Sequence, residues 1–110
     1  MTTDCLFCKI VHREVPTEFL YEDNDFVVFK DIHPAAPVHL LVVPKKHIRS
    51  INDLHEEDET IVSGLFMLAR DMAKDQGIHT SGYKLLFNVE KGGGQVIFHL
   101  HLHLIGGWKR

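Results

Sequence analysis

Three histidines occupy every second position in His99-Leu100-His101-Leu102-His103, and Leu104 continues the alternation. Successive side chains of an extended strand point to opposite faces, so His99, His101 and His103 share one face while Leu100, Leu102 and Leu104 turn to a core. Residues two apart stand roughly 6.5–7 Å apart along a strand, which puts three imidazoles in a row on a rigid support. Imidazole is a nucleophile, an acid or base and a metal ligand near neutral pH. The row could therefore carry covalent catalysis, or hold a catalytic metal of the three-histidine kind. The plain alternative is a strand face that is merely polar.

The segment upstream favours phosphate chemistry. It reads Asn88-Val89-Glu90-Lys91-Gly92-Gly93-Gly94-Gln95. Glycines let backbone N–H groups approach an anion, and a side-chain amide beside them can orient a phosphate oxygen or a leaving group. Most glycine runs are only flexible turns. This one feeds directly into the histidines, so a phosphate held there would lie beside the imidazoles. A second chemical feature is the Cys5-x-x-Cys8 pair, the knuckle spacing used by zinc. Two thiols supply only half of a tetrahedral site. The competing readings are a redox pair, which lacks the thioredoxin-like βαβ surroundings, and two ordinary buried cysteines.

The elements that must position these groups follow from pattern. Cys5 to Arg13 predicts a short N-terminal helix that Pro16 stops. Phe19 to Glu22 and Phe26 to Lys30 predict a hairpin around Asp23-Asn24-Asp25. Pro34 and Pro37 keep the next stretch irregular, and His39 to Val43 forms a third strand closed by Pro44. Ile61, Leu65, Leu68, Ala69, Met72 and Ala73 recur at helical steps from Asp58 to Gln76, and Gly77 follows. Tyr83 to Val89 and Phe98 to Ile105 complete a set of five strands. The order implies an α+β fold, an antiparallel sheet with one long helix on a face.

Composition narrows the function. A chain of 110 residues, 45% hydrophobic, has material for a core in a single domain spanning residues 1–110. Its longest apolar runs, such as Leu40 to Val43, have strand length, so no membrane span is expected. Met1-Thr2-Thr3-Asp4-Cys5 lacks the features of a secretory signal, which predicts a cytoplasmic protein. A net charge of −3, with only Lys109-Arg110 as a basic pair at the end, argues against nucleic acid as a partner.

With these residues in view, the chain resembles the histidine triad (HIT) family, and within it the Hint-like branch of purine nucleoside phosphoramidases. The resemblance rests on His99 to Gly107, on Phe29-Lys30-Asp31-Ile32-His33-Pro34-Ala35-Ala36-Pro37-Val38-His39, on Val42-Val43-Pro44-Lys45-Lys46-His47, and on Asn88 with the Gly-Gly-Gln loop. It implies a HIT-like fold and a hydrolase or transferase in which His101 attacks the α-phosphorus of a purine nucleotide. The nucleotidyl-histidine intermediate is then released by water as the monophosphate. His103 and His39 would steady the phosphate and the attacking ring, while Asn88 and Gln95 would hold phosphate oxygens or the leaving group.

The same likeness puts base and ribose among Phe7, Ile10, Phe29, Asp31, Ile32 and Leu41, with Asp31 on the ribose hydroxyls and Gly94, Gln95 and Val96 near the phosphate. It completes the cysteine pair with His47 and His99 as a structural zinc site, leaves no need for a catalytic metal, and implies a homodimer. Val96 departs from the Ser or Glu found there in many Hint proteins, and the chain ends soon after Trp108 where many relatives have a longer tail, so the resemblance leaves leaving-group contact and substrate preference open. Two other functions fit the residues: cleavage of dinucleoside polyphosphates, and nucleotide binding or scaffolding with incidental catalysis.

Overall fold

The computed structural model describes residues 4–109; Met1–Thr3 and Arg110, which belong to the terminal stretches read above, lie outside it. The elements are α1 (Leu6–Val11), β1 (Tyr21–Glu22), β2 (Phe26–Lys30), β3 (Val38–Pro44), α2 (Glu59–Asp75), β4 (Tyr83–Leu86) and β5 (Leu102–Gly106). Short 3-10 turns at Ile51–Asp53, Glu56–Asp58 and Lys91–Gly93 were not legible in the pattern. The five strands form one antiparallel sheet in the order β1-β2-β3-β5-β4. Among the described residues no helix is long and apolar enough to cross a membrane.

Alternation divides the sheet into two faces. Val28, Leu40, Val42, Leu102 and Leu104 pack under Leu65, Leu68, Ala69 and Met72 of α2. Val27, Phe29, Leu41 and Val43 point the other way and pack against Phe7 and Ile10 of α1. Both faces of the central strands are thus covered, which is why β2 and β3 read as continuous apolar runs. The long helix ends where Gly77 was expected to end it. Gly77 takes φ 73°, its N–H donates to the Lys74 carbonyl, and the Ile78 N–H donates to that of Ala73. This double bond pattern is a Schellman cap, and buried Ile78 supplies its apolar contact.

The histidine segment differs from its expected form. Strand pairing begins only at Leu102, opposite Val42, although a strand was expected from Phe98. Beyond Val42 the partner strand runs into Pro44, which has no N–H to donate, and the incoming chain bonds elsewhere. The Leu100 N–H reaches the Ile48 carbonyl at 2.7 Å, and His99 Nε2 donates to the Pro44 carbonyl at 2.8 Å. Residues 99–101 remain outside the ladder while keeping the alternation, since Leu100 lies in the α2-side core. Gly106 also has a packing reason: a Cβ there would sit 2.8 Å from Ile78 Cδ1 and 3.1 Å from the Gly82 carbonyl oxygen.

Candidate active site

On the α1 side of the sheet lies a cavity of about 320 Å³, large enough for a small ligand. Its apolar end is made by Phe7, Ile10, Phe29 and Leu41, and its polar end by Asp31, Asn88, Gly94, His101 and His103. Ile32 and Val96 stand at its margin, 84% and 80% exposed. Every residue expected to touch the nucleotide lines this cavity except Gln95 and His39, and His39 meets His103 Nδ1 instead. Leu6, Thr17, His33 and Ile97 line it too. The sequence reading missed these four. Ile97 and Leu6 adjoin residues it named, whereas Thr17 sits in a loop with no pattern to mark it.

Hydrogen bonds to the main chain assign tautomers to His101 and His39, and His39 then assigns that of His103. His101 Nδ1 lies 2.6 Å from the His99 carbonyl oxygen. A carbonyl only accepts, so Nδ1 carries the proton and Nε2 keeps its lone pair. His39 is set the opposite way: its Nδ1 accepts the Ala35 N–H at 3.0 Å, which leaves Nε2–H to donate to His103 Nδ1 at 2.9 Å. His103 in turn carries its proton on Nε2. Among the described residues, that nitrogen is the buried side-chain polar atom left without a partner. An unsatisfied buried donor is costly, and it fits an oxygen of a ligand. Asp31 Oδ2 stands 3.3 Å from His39 Nε2, and its Oδ1 accepts the His33 N–H at 2.8 Å.

Burial, the leading cause, lowers the pKa of His101, and it pushes that of His103 down to about 4 with help from the neighbouring His101 and His39 rings. Both rings are then neutral at pH 7, the state in which an imidazole keeps a free lone pair. The unfolded chain binds a proton on His103 near pH 6.5, and the folded chain refuses it until about pH 4. The contribution of His103 to stability is therefore whole above 6.5 and erodes as the pH falls towards 4. Urea midpoints should drop across that window, and His103→Asn should flatten the slope; an unchanged slope in the variant would rule out this source.

Gln95 corrects an expectation. Its amide was assigned to phosphate oxygens or the leaving group, but the side chain is 4% exposed and points into the loop. Its Nε2 donates to the carbonyls of Arg49 and Ile97 at 2.8 and 3.0 Å, and its Oε1 accepts the Glu90 N–H at 2.8 Å. Both amide hydrogens and the amide oxygen are thus bonded to backbone. Asn88 remains at the cavity with Gly94 beside it.

The second cluster forms at the start of α1. Cys8 Sγ lies 3.2 Å from His47 Nδ1 and 3.6 Å from His99 Nδ1, Cys5 Sγ is 3.4 Å from His99 Nδ1, and the two Nδ1 atoms are 3.1 Å apart. These four side chains could hold a metal ion. Metal bonds of about 2.0–2.3 Å in a tetrahedron separate ligand atoms by roughly 3.3–3.8 Å, close to this spacing. The bond from His99 Nε2 to the Pro44 carbonyl leaves Nδ1 as the lone-pair nitrogen, the arrangement of a metal-bound histidine with its outer partner. Burial also holds the His99 pKa at about 4, keeping the ring neutral for ligation.

Residues 4–108 match the family model described as "Scavenger mRNA decapping enzyme C-term binding". The chain is also 45% identical over 103 residues to the protein HitA of Neisseria gonorrhoeae, a match covering 94% of this chain and 95% of that relative. The chain belongs to the histidine triad family. Within the family it is 37% identical over 107 residues to the purine nucleoside phosphoramidase of Escherichia coli K12, covering 97% and 90% of the two chains. A crystal structure of a HIT family hydrolase from Legionella pneumophila Philadelphia 1 superposes with a TM-score of 0.94 at 45% identity, covering 96% of this chain and 95% of that one. This histidine triad protein is accordingly a hydrolase, built as a five-stranded antiparallel sheet with one long helix.

Proposed function

We propose that this histidine triad hydrolase converts purine nucleoside 5′-phosphoramidates, such as adenosine 5′-phosphoramidate, to the monophosphate and an amine. The observation that carries the reading is the pair of opposed tautomers at the polar end of the cavity: a bare Nε2 on His101 and an unpartnered Nε2–H on His103. The His101 lone pair attacks the α-phosphorus, an N–P bond forms, the P–N bond to the leaving group breaks, and the leaving nitrogen takes a proton from solvent as the amine departs. His103 donates its Nε2–H to a phosphate oxygen, with His39 and the Ala35 N–H holding the ring in that tautomer. The His99 carbonyl keeps the Nδ1 proton of His101 and steadies the charge on the nucleotidyl-imidazolium. Water then attacks phosphorus, loses a proton to solvent, and frees His101. Base and ribose occupy the end lined by Phe7, Ile10, Phe29 and Leu41, with Asp31 accepting from the ribose hydroxyls.

The name of the Escherichia coli relative supports the phosphoramidate over a dinucleoside polyphosphate. Turnover of adenosine 5′-phosphoramidate should exceed that of diadenosine tetraphosphate by orders of magnitude under matched conditions. Faster cleavage of the tetraphosphate would reverse the assignment. A protein that binds nucleotide but turns over neither substrate would point to the scaffolding role.

The reading includes zinc, held by Cys5, Cys8, His47 and His99 with no position left for substrate, so its contribution is architectural. Thiolate ligands persist where disulfides do not form, which fits a cytoplasmic setting. A homodimer of single-domain subunits also belongs to it, supported by Phe66 and Met67, 42% and 53% exposed on α2. A monomer mass in solution at micromolar concentration would exclude the dimer.

A further inference from the structure

Glu90 holds an unusual backbone position. It takes φ 59° and ψ 176°, in the region that favours glycine, although Gly92, Gly93 and Gly94 follow it closely. Its side chain accounts for this. Arg49 Nη2 donates to one carboxylate oxygen at 2.9 Å, Arg49 Nε stands 3.2 and 3.3 Å from the two oxygens, and the Ser50 hydroxyl donates at 2.9 Å. The Arg49 guanidinium lies over the Phe98 ring, 4.2 Å from its centroid, and Ser50 is 1% exposed, so both partners are anchored.

The strained backbone in turn closes the loop. The Glu90 N–H donates to Gln95 Oε1 at 2.8 Å, and the Glu90 carbonyl accepts the N–H groups of Gly93 and Gln95 at 3.1 and 3.0 Å. The loop ends so gathered are Asn88 and Gly94, which face the cavity that also contains His101 and His103.

We propose that Glu90 is a positioning residue for the phosphate end of the site: its carboxylate, clamped by Arg49 and Ser50 outside the loop, holds its own backbone left-handed and thereby keeps Asn88 and Gly94 in place beside His101. No part of Glu90 lines the cavity, so the effect passes through loop shape. This rests on the nucleotide-hydrolase reading.

Glycine adopts the same φ without a clamp, whereas alanine does not. In the full-length protein, Glu90→Ala should lower kcat by roughly 10- to 100-fold, the scale of a misplacement near 1 Å, with AMP binding weakened and adenosine binding within about twofold of wild type. Glu90→Gly should recover at least about fivefold of that loss, because the conformation is restored without the carboxylate. Arg49→Met should lower kcat in the wild-type background and have little effect beside Glu90→Gly. Equal losses in the alanine and glycine variants, or equal weakening of AMP and adenosine, would overturn the proposal. Amide exchange at Gly93 and Gln95, expected to quicken in Glu90→Ala, reads the loop without substrate. A wild type that hydrolyses no nucleotide phosphoramidate would sink the function while exchange still decided the clamp; unchanged exchange in Glu90→Ala would sink the clamp while the function stood.

Discussion

Replacing His101 by alanine should reduce turnover of adenosine 5′-phosphoramidate by about 10⁴-fold or more while AMP still binds within a few-fold of its wild-type affinity. The size follows from the role: a covalent nucleophile cannot be replaced by positioning alone, and what remains is catalysis by hydrogen bonding and proximity. Binding should survive because the walls proposed to grip base and ribose are Phe7, Ile10, Phe29 and Leu41 with Asp31, and Phe7, whose ring touches His101, is also held by Phe29. His103→Ala should cost less, about 10²- to 10³-fold, as it removes one donor to the phosphate rather than the bond-forming atom. Calorimetry with AMP and single-turnover kinetics separate the two quantities. Near-normal turnover in His101→Ala would refute the mechanism.

Zinc removal should have the second largest effect. The helix α1 has six residues, below the length at which an isolated helix is stable in water, so it is held by what it packs on and is tied to. Its Phe7 and Ile10 complete the second core, and the Phe7 ring meets Phe29 and His101 edge-on at 5.4 and 5.0 Å. A metal joining Cys5 and Cys8 to His47 and His99 would pin α1 to the histidine segment and so shape both the cavity and the surroundings of His101. Purified protein should hold close to one zinc per chain. Replacing Cys5 and Cys8 by serine should abolish that content and lower Tm by about 10 °C or more, as expected when several kcal/mol of metal binding is lost. A metal-free wild type that melts at the same temperature as the zinc-loaded protein would reject the site.

Much of the architecture was legible because it is local. The three-and-four spacing from Ile61 to Ala73 marked α2, Gly77 marked its end through a bond pattern spanning a few residues, and the alternation of Leu100, Leu102 and Leu104 assigned them to one face. The extent of the last strand was misread, since pairing depends on its neighbour: Pro44, distant in sequence, ends the ladder before His101. Gln95 was misread for a similar reason. An amide beside glycines suits an anion, yet here the Arg49 and Ile97 carbonyls take both of its hydrogens and the Glu90 N–H bonds its oxygen. Glu90 itself carried no signal, as a negative residue in a polar loop is ordinary until its backbone angle and its partners on Arg49 and Ser50 are known.

The histidine row shows where the two kinds of information part. Sequence alone determined that His99, His101 and His103 share a face, because strand alternation is a property of consecutive residues; family likeness added which of them would do what. Only the tertiary structure decided the proton positions. The His99 carbonyl holds the proton on His101 Nδ1, the Ala35 N–H holds it off His39 Nδ1, and the Pro44 carbonyl turns His99 Nδ1 to the cysteines. Two of these three partners lie in other parts of the chain from the triad. A ring's tautomer is set by whichever backbone group folding brings to its nitrogen, and that meeting is non-local.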